Sequence, residues 1–107
     1  MTATNWSAAI SWASSKTHQI SITAAGYSDT DLQIEVGDTV TWTNDDTENH
    51  SAVAADGTFD SGTLTANQSF SHTFDSEGTW RYADTIEGGV GDGTITVLAA
   101  TGAPQTK

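Results

Sequence analysis

The chain has 107 residues, with three Lys and Arg against fourteen Asp and Glu, a formal charge of −11 and no cysteine. That length bounds it to one domain with a modest core, and its acidity disfavours nucleic acid and anionic membranes, which both require cationic contacts. The missing cysteines exclude disulfides and thiolate chemistry. No stretch approaches the roughly 18 apolar residues of a membrane span, so no membrane insertion is expected. The first residues lack the basic-then-apolar order of a secretory signal, so none is expected in this chain.

Trp6, Ala8, Ile10 and Trp12 share one parity near the N-terminus. Period-two alternation predicts a strand, either added to the domain or acting as an arm on a neighbouring subunit. Trp6, Ile10 and Trp12 are its interface candidates, because large aromatics dominate protein interfaces. His18, Ile20, Ile22 and Ala24 predict the next strand, Gly26 to Asp29 a break, and Leu32, Ile34 and Val36 a third strand. Gly37-Asp38 turns into Thr39-Val40-Thr41-Trp42-Thr43, where Val40 and Trp42 define the buried face. Asn44-Asp45-Asp46 turns out of it, leaving His50 just beyond a strand end.

Ser51 to Ala55 is a short apolar piece, and Phe59 to Leu64 reads as a surface-hugging segment with two apolar anchors. Phe70, His72 and Phe74 alternate, then Trp80 and Tyr82, and Ile95 and Val97 close the pattern. Strands at this spacing, separated by turn residues, predict an all-β sandwich of two packed antiparallel sheets.

The run from Gly37 to His50 resembles the cupredoxins, the plastocyanin, amicyanin and halocyanin group of small blue-copper proteins. The likeness continues through Phe59-Asp60-Ser61-Gly62, Phe70 to Phe74, Gly78-Thr79-Trp80-Arg81-Tyr82 and Gly93 to Val97. It implies a cupredoxin-like Greek-key β-sandwich of seven or eight strands over residues 18–98, preceded by a strand or arm at 1–17 and followed by a polar tail at 99–107. In the family a Tyr-Cys pair precedes a histidine and an axial methionine. Aligning Tyr82 and Gly93 places Ala83 at the cysteine, Ile86 at the second histidine and Gly91 at the methionine. The resemblance therefore implies that His50 alone survives of four copper ligands. A blue-copper centre needs two histidines, a thiolate and a weak axial ligand, so no metal or other cofactor is expected.

Other constellations read as ordinary surface or core. Asp45, Asp46, Glu48, Asp84, Glu87 and Asp92 gather carboxylates at the His50 pole, but their spacing matches no calcium loop. Ser61, Ser69 and Ser71 near His72 and Asp75 lack any nucleophile elbow, so no catalytic residue is expected. His72 lies in phase with Phe70 and Phe74 and reads as a hydrogen-bonded core histidine, and His18 as structural. The glycines from Gly88 to Gly93 have no following helix to cradle a phosphate and read as a tight turn.

These readings converge on a non-enzymatic structural or interaction module with protein partners, its own copies or neighbouring assembly subunits. The most concrete form is a capsid-decorating protein of a virion or a cell-surface component. The alternatives are a divergent electron-transfer cupredoxin and a carbohydrate- or ligand-binding module using exposed tryptophans.

Overall fold

The structure, a computed structural model, describes residues 16–86 and 91–100. The predicted strand at residues 6–12, the glycines at 88 and 89 and most of the polar tail lie outside the described residues. The described strands are β1 (Thr17–Thr23), β2 (Gly26–Tyr27), β3 (Asp31–Glu35), β4 (Thr39–Asn44), β5 (Val53–Ala54), β6 (Ser69–Thr73), β7 (Gly78–Ala83) and β8 (Asp92–Leu98). Each long strand follows the sequence alternation, because a pleated chain sends successive side chains to opposite faces. Ile20 and Ile22 of β1, Val40 and Trp42 of β4, and Ile95 and Val97 of β8 are all buried.

The strands form two four-stranded sheets, ordered β2-β1-β4-β6 and β3-β8-β7-β5. They are mixed, which corrects the expectation of antiparallel sheets throughout: β1 runs parallel to β4, and β3 parallel to β8. The cause is the Greek-key path. The chain crosses from β2 to the opposite sheet as β3 and then returns as β4 alongside β1.

The core between the sheets centres on Trp42, with Tyr82, Phe74 and Phe59 buried around it. Phe59 stacks on Trp42 at 5.1 Å between ring centroids, and Tyr82 meets it edge-on at 5.3 Å. Phe59 and Leu64 are the two buried anchors of the segment between β5 and β6. Phe70 and Trp80 are only half-buried, although their parity points inward. Phe70 sits on an edge strand, and Trp80 lies against Phe74 with its ring N–H donated to Thr58 Oγ1 at 3.2 Å.

Asp38 explains the Gly-Asp entry to β4. Its buried carboxylate accepts the backbone N–H of Lys16 and of Glu35, and lies 2.9 Å from His18 Nε2. One side chain thereby ties the start of β1 to the β3–β4 turn, where Gly37 adopts φ 95°. His18 is structural in this sense.

Tyr82 and Gly93 face each other across β7 and β8. A Cβ at position 93 would stand 2.5 Å from Tyr82 Cζ and 2.9 Å from its Cε1, far inside van der Waals contact. Gly93→Ala is expected to cost about 1–3 kcal/mol by overpacking, read as a lower denaturation midpoint. An unchanged midpoint would contradict the packing of the Tyr82 ring on β8.

Candidate functional site

His50 is the one side chain that the copper resemblance singles out, and it is buried at one end of the sandwich. Its backbone forms a two-way bridge with Leu64, accepting the Leu64 N–H at 2.7 Å and donating to the Leu64 carbonyl at 3.0 Å. Asn44, buried at the end of β4, shapes the loop that precedes it. The Asn44 amide donates to the carbonyls of Glu48 and Leu64 at 2.7 and 2.8 Å, and its oxygen accepts the N–H of Asp46 at 2.9 Å. A buried amide satisfied on both sides holds such a loop in one conformation.

That loop delivers Asp46 to one side of the imidazole and the end of β7 delivers Asp84 to the other. Asp46 Oδ2 lies 2.8 Å from His50 Nε2, and Asp84 Oδ2 lies 2.6 Å from His50 Nδ1. The Asp84 side chain is fully buried. Its second oxygen accepts the N–H groups of Ser51 and Ile86, each at 3.0 Å. Ser51 Oγ in turn accepts the Thr85 N–H at 2.8 Å, and the Ser51 carbonyl accepts the Tyr27 hydroxyl at 2.6 Å.

A neutral imidazole carries one N–H and can satisfy only one of two flanking carboxylates, so this geometry selects the doubly protonated ring. Burial pulls the His50 pKa down, but the hydrogen bonds and charges of Asp46 and Asp84 outweigh it and leave it raised. The Asp46 carboxyl is correspondingly lowered, first by the bond from His50 and then by that from the Thr47 N–H.

The residue that meets His50 from β7 is Asp84, one position beyond Ala83, which stays within the strand paired to Val53 and Asp92. Ile86 contributes a backbone N–H to Asp84, and Gly91 a backbone carbonyl to the Asp84 N–H at 3.0 Å. Sequence reasoning placed Asp46 and Asp84 at this pole but did not pair them with His50. The available signal was the i, i+4 spacing of Asp46 and His50, together with an acid directly at the end of the Trp80–Tyr82 strand.

Asp45 and Asp92 do not join this cluster. Asp45 accepts a hydrogen bond from Ser21, and Asp92 lies 3.5 Å from Arg81. Among the described residues no three His, Cys, Asp or Glu side chains are grouped to hold a metal ion. The serines considered for a triad have other partners: Ser69 and Ser71 pair with Thr43 and Thr41, and Ser61 Oγ accepts the Ala52 N–H. His72 is half-buried between Phe59 and Phe74, at 5.2 and 4.7 Å, with the Asp75 carboxylate near enough to act on it.

The residues do not fit the copper ion that the family resemblance implies. Both His50 nitrogens face carboxylates, and the chain has no thiolate to give. Position 86 offers a hydrocarbon and position 91 no side chain at all.

No protein-family model matches the sequence, and no curated protein matches it significantly. Solved structures do. A purple cupredoxin from Nitrosopumilus maritimus is 35% identical with a TM-score of 0.67, the match covering 76% of this chain and 99% of that one. A Cu(I) form of an amicyanin variant is 26% identical with a TM-score of 0.70, over 77% of this chain and 82% of that one. The copper-containing nitrite reductase from Thermus scotoductus shares the fold at 22% identity and a TM-score of 0.66, over 77% of this chain but 22% of its own. With its mixed two-sheet sandwich, its strand from Gly37 to Asn44 and a histidine at the pole beyond, the chain belongs to the cupredoxin family.

Proposed function

We propose that this protein is a non-enzymatic structural or interaction module, built on a cupredoxin scaffold whose copper centre has given way to a charged hydrogen-bond cluster. The observation that carries this reading is the Asp46–His50–Asp84 arrangement, in which both nitrogens of the inherited histidine are engaged by carboxylates at 2.8 and 2.6 Å. A histidine protonated on both nitrogens has no lone pair for a metal. The cluster fastens the 45–50 loop, Ser51 and the end of β7 together, so it does for this pole the fastening that a bound ion would do. What remains for function is the surface. The setting we propose is an assembly on a virion or cell surface, supported by the acidic charge, the absence of cysteine and the aromatic segment at residues 6–12.

The copper-bearing neighbours support a second reading, a divergent redox protein whose missing ligand comes from elsewhere. Calorimetry with Cu(II) at neutral pH separates the two. The module reading expects only weak heat from surface carboxylates and no coloured thiolate complex. A tight, stoichiometric site abolished by His50→Ala would establish the redox reading instead. A tight site that survives His50→Ala would overturn both and place the metal elsewhere.

A further inference from the structure

Among the described residues four strands end the two sheets, and three of them are closed to further pairing. β2 and β5 are two residues long. β3 carries Asp31 and Glu35, and the amides of both are already taken, by the carboxylates of Asp29 and Asp38. Short edges, charges and capped amides are how natural sheets avoid unwanted strand addition.

β6 has none of these. It runs for five residues, Ser69–Thr73, without a charged residue or a proline. Its ladder to β4 uses the even-numbered residues, as the Gln68 carbonyl to the Asn44 N–H and the Phe74 N–H to the Asp38 carbonyl show. Antiparallel alternation then aims the N–H and C=O groups of Ser69, Ser71 and Thr73 out of the sheet. Their hydroxyls turn the other way, pairing with Thr43, Thr41 and Thr39 at 2.8, 2.7 and 2.7 Å, so their own side chains leave the edge uncovered. Beside it, Phe70 and His72 remain half-buried over the buried Phe59.

We propose that β6 is a docking edge for residues 5–12 of a second copy of this chain, added as a further strand. This rests on the interaction-module reading and names its surface. Three features fit that occupant. Residues 1–15 contain no charged side chain, in a chain carrying −11, so the arm itself adds no like charge to the contact. Trp6, Ala8, Ile10 and Trp12 share the parity needed to cover Phe70 and His72, while Asn5, Ser7, Ala9 and Ser11 fall on the side of the β6 hydroxyls. Reach favours another copy over the chain's own arm. Lys16 is fixed beside Asp38 and Thr39, and the far side of β6 lies three strand spacings from β1, about 14 Å away. The four residues from Trp12 to Lys16 span about 14 Å only when fully extended.

Sedimentation of the full-length chain tests the exchange, in low salt and in high salt that screens the acidic surface. The intact chain is expected to self-associate. Trp6→Ala/Trp12→Ala, which weakens the arm, and Ser71→Pro, which removes an outward N–H from the edge, are each expected to weaken association at least about tenfold. An equimolar mixture of the two variants should recover a heterodimer, since one retains a sound edge and the other a sound arm. Should Ser71→Pro melt early, Ser71→Lys gives the same readout with the backbone intact. An intact chain that is monomeric at both salts, or association that neither variant changes, overturns the proposal, as does failure of the mixture to pair. Tight copper binding by a self-associating chain would instead leave the docking edge standing and remove the copper-free reading.

Discussion

Trp42→Ala is expected to lower the stability of the domain by about 3–5 kcal/mol, the cost of removing a large aromatic from a closed core. Trp42 is fully buried on β4, a strand paired on both sides, by β1 and β6. It touches Phe59, Phe70 and Tyr82 at 5.1, 5.9 and 5.3 Å, so its loss opens a void bordered by three rings. Small domains hold about 5–15 kcal/mol in total, which makes this a large share. Its indole N–H has no well-formed hydrogen bond among the described residues, only the Tyr82 hydroxyl nearby. Trp42→Phe removes that poorly satisfied donor while keeping an aromatic in place, so it should cost clearly less than alanine. Denaturant unfolding followed by circular dichroism checks both. Equal stability of the alanine variant and the wild type would contradict the register of β4.

Asp84→Ala is expected to be comparably damaging, by about 3–5 kcal/mol, because it breaks a buried charge pair from one side. His50 would keep Asp46 alone, and the N–H groups of Ser51 and Ile86 would lose their shared acceptor. The same cluster sets a pH dependence. The folded pKa of His50 lies above its ordinary 6.5, so its stabilisation is complete below that value and is lost as pH rises through the folded pKa. The folded pKa of Asp46 lies below 3.8, so its share is present above that value and is lost as pH falls through the folded pKa. His72 opposes His50: burial holds its pKa below 6.5, so below 6.5 it drains stability as the unfolded chain takes up the proton first. In a His72→Phe background the melting temperature should therefore rise as pH is lowered from about 8 to about 6. Adding Asp84→Ala should shrink that rise. A flat profile in the His72→Phe protein would show that His50 does not gain its second proton in the fold.

Local alternation was enough to place β1, β3, β4, β6, β7 and β8, because a half-buried strand records its buried face in every second residue. Gly37-Asp38 and the Thr-Val-Thr-Trp-Thr-Asn run carry the family, and the lack of cysteine by itself excludes a thiolate ligand. What periodicity cannot carry is the identity of a strand's neighbours. Phe70 and Phe74 have the same parity, yet Phe74 is buried and Phe70 half-exposed, since only the sheet order makes β6 an edge. The parallel pairing of β1 with β4 likewise follows from the crossover through β3. The site was the least legible part. Asp84 lies 34 residues from His50, and one step along β7 separates it from the alanine that alignment set at the metal position. Composition supplied the carboxylates. Only the meeting of the 45–50 loop with the end of β7 turned two of them into partners of one imidazole, because a hydrogen bond depends on distance in space and not on spacing in the chain.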